Sequence, residues 1–254
     1  MLTAIEHEIY KGLEAARSAG LRYTQQAFGM LPELRHPWIL DVGCGPGTIT
    51  LELARLSGGQ VFGLDIDRVA LEGLSRRSDE QGLGGQVQLV HGSMFEIGFR
   101  DGSFDVVWSE GSLQFMGFEK ALRAWRRLIK PAGFLVVQEM AWLRPDPPQA
   151  IVDRWQPVFA EISTVAGYAQ QLPGAGYRLI GHFPLPEDFW WVNYYGILEE
   201  RIQALRGEVG GDGAAQQILD KEQREVDLFR QHAGWYGSAF LVMQRDGGAQ
   251  AAAW

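Results

Sequence analysis

Apolar residues recur along this chain with two periods, and the periods alternate. Ile5, Ile9 and Leu13 stand four apart, which predicts helix through residues 1–30. Pro32 and Pro37 bracket a connection, and "WILDV" is then a short continuous apolar run of the kind a buried strand needs. "GTITLELARLSGG" places Ile49, Leu53 and Leu56 on one helical face and stops at Gly58-Gly59. "QVFGLDID" reads as a second strand. "RVALEGLSRRSDEQG" reads as a second helix, with Val69, Leu71 and Leu74 apolar and Gly82 as its stop. "QVQLV" and "SFDVVWS" give two more strands. "EKALRAWRRLIK" is a helix closed by Pro131 and Gly133, and "FLVVQEM" is a fifth strand. This alternation predicts a parallel α/β sheet with helices on both faces.

Beyond residue 140 the texture changes. Prolines cluster in "RPDPP", and helical patterns follow at 150–163 and 166–173. "YRLIGHFPL" reads as a strand, "VNYYGILEERIQALRG" and "AAQQILDKEQREVDLFRQHA" as helices, and "YGSAFLVMQR" as a last strand. No internal repeat is present, and "GGAQAAAW" is the one low-complexity tract. The chain divides into an N-terminal helical cap at 1–36, a core at 37–185, a helical insertion at 186–235, and a last strand with tail at 236–254. Trp142, Trp155, Trp190, Trp191, Trp235 and Trp254 all fall in the second half. These rings either fill a core or form the lid of an apolar pocket.

Charge narrows the partners. The formal net charge is −8, which argues against nucleic acid and against an anionic membrane surface. "RAWRRLIK" is basic, but Leu122, Trp125, Leu128 and Ile129 give it a buried face and leave its arginines in solvent. The single cysteine, Cys44, forms no internal disulfide and fits a reducing, cytoplasmic compartment. No apolar run approaches the ~18 residues of a membrane span. The acids in "MLTAIEHEIYKG" do not suit a signal peptide. The chain is expected to act as a monomer or homodimer.

The chemistry begins at "ILDVGCGPG", residues 39–47. A glycine-rich turn between strand and helix points to a nucleotide-like ligand. A dinucleotide loop wants G-x-G-x-x-G and offers amides to a pyrophosphate. Here Thr48 stands where the last glycine belongs, and the spacing is G-x-G-x-G. Asp41, two residues upstream, is a poor neighbour for a pyrophosphate. It suits a ligand with an amino group and a sulfonium, provided that its carboxylate faces the loop. Asp65, at the end of the second strand, can accept both hydroxyls of a ribose, which both ligand types carry.

Four segments together resemble the class I S-adenosylmethionine-dependent methyltransferases. "ILDVGCGPGT" is similar to their first motif and "VFGLDID" to their ribose-binding segment. "GSMFEIGFRDGSFDVVWS" resembles the segment around their fourth strand, and "LIKPAGFLVVQE" the turn into the fifth. "DVVWSEGSLQFMGFEKAL" resembles a bacterial and archaeal subgroup without assigned substrates. The resemblance implies a Rossmann-like, doubly wound, mostly parallel seven-stranded sheet with an antiparallel last strand. It also implies S-adenosylmethionine as cofactor. The backbone around Gly43, Gly45 and Gly47 would approach its methionine part, where a Cβ would intrude, and Asp41 and Cys44 would belong to the same cofactor site. Asp65 would hold the ribose, Ile66 would lie against the adenine, and Ser93 and Met94 would line the adenine edge. The commoner pattern has an aspartate in place of Ser93, and a neutral hydroxyl is the weaker partner. Met94 equally suits core packing. Ser109 would lie where the cofactor passes to the substrate.

Methyl transfer from a sulfonium is an in-line displacement on an activated carbon, so positioning and water exclusion do much of the work. A base is needed only where the acceptor loses a proton. The candidates beyond strands four and five are Glu110, Gln114, Glu139 and Trp142. Glu110 is either the catalytic group or a carboxylate capping the next turn. Tyr10 and Tyr23 in the N-terminal helix, with Phe189, Trp190, Trp191, Tyr194 and Tyr195 in the insertion, would cover a small-molecule acceptor that is partly apolar or cationic. No histidine shows metal spacing, and no metal is expected. "WSEG" stands where nucleic-acid and protein amino-group methylases carry an N-P-P-Y type signature. Two other readings stay open: a cofactor-binding protein without catalysis, and a nicotinamide-dependent oxidoreductase.

Overall fold

The strands meet in one sheet because their apolar runs leave both faces to be covered. In the computed structural model, which describes residues 4–10, 14–210 and 212–247, these strands are β1 Trp38–Val42, β2 Gln60–Asp65, β3 Val87–His91, β4 Phe104–Glu110, β5 Ile129–Trp142, β6 Ser163–Thr164, β7 Tyr177–Pro184 and β8 Tyr236–Arg245. Their order is β3-β2-β1-β4-β5-β8-β7, with the two-residue β6 paired to β5. β1 to β6 pair in parallel, and β8 runs antiparallel to both β5 and β7. The helices are α1 Ala4–Tyr10, α2 Glu14–Phe28, α3 Thr48–Ser57, α4 Arg68–Glu80, α5 Phe118–Arg126, α6 Gln149–Trp155, α7 Val165–Gln171, α8 Gly196–Glu208 and α9 Gly213–His232.

Side-chain alternation sends neighbouring residues of each strand to opposite faces. Ile39, Val106, Trp108 and Val136 face α2, α3 and α4, where Tyr23, Ala27, Leu51, Leu53 and Leu74 are buried. Leu40, Val107, Leu135 and Val137 face the other way, against Leu122 and Trp125 of α5 and Tyr168 of α7. A third cluster lies beyond the carboxyl end of β5. There Ile9, Trp142, Trp155 and Tyr195 pack with Leu198, Ile202, Val226 and Phe229 of α8 and α9.

Several boundaries differ from the expected ones. The helix expected at 150–163 ends at Trp155, because Pro157 lacks an N–H and restricts the residue before it. Ile129 and Lys130 belong to β5 and not to the preceding helix. Ile129 pairs with Phe104, and the ladder then shifts register before Phe134 meets Val106. The "KPAG" turn is thus a bulge inside a strand, with Ala132 at φ 60°. The helix expected from Val192 starts as a single π-turn at Trp191–Tyr195 before α8. β6 was not anticipated. Leu13 and residues 248–254 lie outside the described residues.

Gly47 shows how tightly the first turn is built. It precedes α3 at φ 86°, and a Cβ there would stand 2.2 Å from Leu74 Cδ1 in α4. Gly47→Ala adds a left-handed backbone penalty to a core clash. It is expected to lower stability by about 2–4 kcal/mol in denaturant titrations. A variant as stable as the parent would show that α4 yields there.

Candidate active site

The parallel strands deliver their carboxyl ends to one edge of the sheet, and a crevice opens there. β1 ends in a turn where Gly43, Gly45 and Gly47 take φ of 76°, 51° and 86°, values that glycine adopts without a Cβ penalty. β2 ends on Asp65, and the two ends are tied together. Asp65 Oδ2 accepts the Gly45 amide at 2.7 Å and Oδ1 accepts the Asp67 amide at 2.9 Å. Gly43 and Cys44 both donate to the Leu64 carbonyl. α3 begins without a side-chain cap, so its first amides remain available for an anion.

The crevice deepens into a cavity of about 860 Å³. Gly43, Cys44, Gly45, Pro46, Thr48 and Ile49 form its floor, and Leu64, Asp65, Ile66, Ser93, Met94 and Phe95 form one side. Tyr23, Phe115, Leu185, Phe189, Trp190, Tyr194 and Phe240 bring apolar walls. Asp41, Asp65 and Glu110 are its acids, and no Lys, Arg or His is among its described lining residues. Asp41 is 1% exposed and accepts the Thr50 hydroxyl at 2.6 Å. Burial pushes its carboxyl up to about 7, against the Thr50 bond and with help from Asp65. Glu110 Oε1 accepts twice, from Trp108 Nε1 at 2.7 Å and from Thr24 Oγ1 at 2.9 Å. Burial lifts this carboxyl to about 8 despite both donors. Burial also pushes the Cys44 thiol up, which keeps it neutral.

Residues 40–137 match the family described as a methyltransferase domain. The match runs from β1 into β5 and takes in the glycine turn and Asp65. Among characterised relatives, a sterol 24-C-methyltransferase of Yarrowia lipolytica is 35% identical over 141 residues, which are 54% of this chain and 35% of that protein. The O-methyltransferase cnsE of Penicillium expansum is 28% identical over 199 residues, covering 78% of this chain and 71% of its own. The chain spans about a third of the length of the sterol enzymes it matches. A methyltransferase from Thiobacillus denitrificans, solved with S-adenosyl-L-homocysteine, superposes with a TM-score of 0.73 at 16% identity, over 96% of this chain and 99% of that one.

The fold gathers Asp41, Gly43, Cys44, Gly45, Asp65, Ile66, Ser93, Met94 and Glu110 around one cavity, with Tyr10, Tyr23, Trp190 and Tyr194. Other expected residues lie elsewhere. Gly47 is turned towards Leu74. Ser109 is fully buried, bonded to the Val42 carbonyl and to the Ser112 hydroxyl. Gln114 sits on a 3-10 turn outside the lining, and Phe115 takes its place. Glu139 points to the opposite sheet face and accepts its neighbour's amide from Met140, so Gln138 lines the cavity instead. Trp142 is packed in the third cluster. Trp191 lies under the Arg230 guanidinium, and Tyr195 stacks on Phe229 with ring centroids 4.1 Å apart.

Thr24 and Gln138 were missed in the sequence. Thr24 shares a helical face with Gly20 and Tyr23, and Gln138 is two residues along the strand from buried Val136, so each periodicity carried the signal.

Raised carboxyls have a definite sign. A folded-state value above the unfolded one gives stability that is complete below the ordinary carboxyl range and is lost as pH rises through the folded value. Asp41 and Glu139 at about 7 and Glu110 at about 8 set that window. The ligand-free protein is expected to melt lower at pH about 8 than at pH about 5. A melting curve rising across this interval would contradict the burial argument.

Proposed function

We propose that the chain transfers a methyl group from S-adenosylmethionine to a small-molecule acceptor in the cavity beside Glu110. The observation that carries this reading is the wall itself: three carboxyls, a glycine turn and an uncapped helix, without a cationic side chain among its described lining residues. The residues fit the cofactor. Asp41 offers negative charge to its amino group, the first amides of α3 suit its carboxylate, and Asp65 suits its ribose. Ile66, 73% exposed, and Met94 suit the adenine. A pyrophosphate would instead set its charges against Asp41 and Asp65 with no counter-charge. Bound there, S-adenosylmethionine supplies an activated methyl group. The protein's part is to orient the acceptor and to exclude water.

Phe189, Trp190 and Tyr194 from the insertion and Tyr10 and Tyr23 from the N-terminal helices support an acceptor chamber with ring walls. Tyr10 is fixed by donating its hydroxyl to buried Glu222 of α9 at 2.7 Å. This wall suits neutral or cationic apolar molecules and disfavours anions. The named relatives act on a sterol or methylate an oxygen, which agrees in kind.

S-adenosylhomocysteine is expected to raise the melting temperature and NAD is not; calorimetry giving NAD the higher affinity would reverse the reading. Asp65→Ala is expected to weaken S-adenosylhomocysteine by about 2–3 kcal/mol, since a charged acceptor is lost. It should also loosen the Gly45 turn that Asp65 holds. Unchanged affinity would remove Asp65 from the site. Among the described residues no three metal-ligating side chains converge. Transfer of labelled methyl to an acceptor found by screening should therefore survive a chelator. No transfer to any acceptor, with S-adenosylhomocysteine bound, would leave a binding protein without catalysis.

A further inference from the structure

Three neighbouring strands place three cavity residues in one row. Glu110 of β4 is in register with Gln138 of β5, and Gln138 is in register with Phe240 of β8. All three line the chamber. Residues in register on adjacent strands put their side chains on the same face, about 5 Å apart. Glu110 is anchored through Oε1 alone, by Thr24 and Trp108, and Oε2 has no protein partner among the described residues. The Gln138 amide likewise has none, although it sits between two fully buried neighbours, Val136 and Phe240. Both groups are partly exposed in the chamber, so each is free to meet a bound molecule.

We infer that Glu110 and Gln138 form a two-point site for an uncharged hydroxyl on a ring-bearing acceptor, with Gln138 donating to the acceptor oxygen and Glu110 Oε2 taking its proton. This deepens the methyl-transfer reading and rests on it. A hydroxyl needs one donor and one base, which the pair supplies. An ammonium needs acceptors only and leaves the amide hydrogens unpaired. A carboxylate or phosphate meets Glu110 and Asp41 with no cation among the described lining residues. In the step, the acceptor oxygen bonds the methyl carbon with its own lone pair. The electron pair of the broken carbon–sulfur bond stays on sulfur, and the hydroxyl proton passes to Glu110, which releases it to water. Phe240, stacked on Phe183 at 5.1 Å, provides a firm wall beside the pair for the acceptor's ring.

Binding tests this without turnover. Protein saturated with S-adenosylhomocysteine is titrated calorimetrically with 2-naphthol, naphthalene, 2-naphthoate and 2-naphthylmethylamine. The naphthol is expected to bind about tenfold more tightly than each of the others, the strength of one or two good hydrogen bonds. Gln138→Leu should bring naphthol down to the affinity of naphthalene, and Glu110→Gln should lower the preference in part. Retained S-adenosylhomocysteine binding certifies that each variant is folded. Failure of S-adenosylhomocysteine to bind the parent would sink the methyl-transfer reading. With it bound, no naphthol preference, a preference for the acid or the amine, or an unchanged preference in both variants would overturn the two-point site.

Discussion

Carboxyl groups held out of water, Asp41 fully and Glu110 in part, with no cationic partner among the described residues, are the constraint on which this site depends. Taking a carboxylate out of water is costly, and proteins usually answer with a base or a metal. Here Asp41 and Glu110 are answered only by neutral donors: the Thr50 hydroxyl for one, the Thr24 hydroxyl and the Trp108 indole for the other. Those donors hold the groups in place but do not return them to the ordinary carboxyl range. The cavity is left short of positive charge. A ligand carrying an amino group and a sulfonium supplies it, and a pyrophosphate worsens the shortage. In the proposed reading, selectivity for the cofactor follows from what the described wall lacks as much as from the glycine turn.

The same constraint ties the N-terminal helix to the chemistry. Thr24 is fully buried on α2 and reaches Glu110, while Gln25 on the next position bonds Glu52 of α3 at 2.7 Å. Gly20 of α2 faces Phe189, and a Cβ there would make ordinary contact with the ring at 3.7 Å. Tyr23 meets Phe189 edge-on at 5.3 Å. One helix therefore positions the carboxyl, roofs the chamber and meets the insertion. Loss of its docking would leave Glu110 held by Trp108 alone and uncover the chamber in the same event, which ties water exclusion to the position of the carboxyl.

Much of this was legible in the sequence because it is local. Strand–helix alternation, the glycine spacing and Asp65 each depend on a few neighbouring residues, and the parallel sheet and the glycine-lined side of the cavity follow from them. The boundaries that slipped had competing local signals. Pro157 ends α6 inside an otherwise helical pattern, and the "KPAG" turn is a bulge because Ile129 already pairs with Phe104. The acceptor side was less legible because it is assembled from distant segments. Which rings of "FWWVNYY" face inwards depends on the π-turn at Trp191–Tyr195, which resets the helical phase. Trp190 and Tyr194, four apart, enter the cavity, whereas Trp191 and Tyr195 turn to α9.

The exchange of Glu139 for Gln138 shows why chemistry-bearing residue types mislead when read without phase. An acid beyond a strand invites a catalytic role. Strand phase is stricter: buried Val136 and cavity-lining Gln138 share one face, and Glu139 must take the other. There its Oε1 is consumed by the Met140 amide, and burial lifts it to about 7 beside Glu161. A perturbed carboxyl is therefore no mark of function in this fold. Glu139 has the shift but no access to the cavity, whereas Glu110 has the shift, an oxygen without a protein partner, and a neighbour that can hold what it would deprotonate. Access and an unfilled hydrogen bond separate the two.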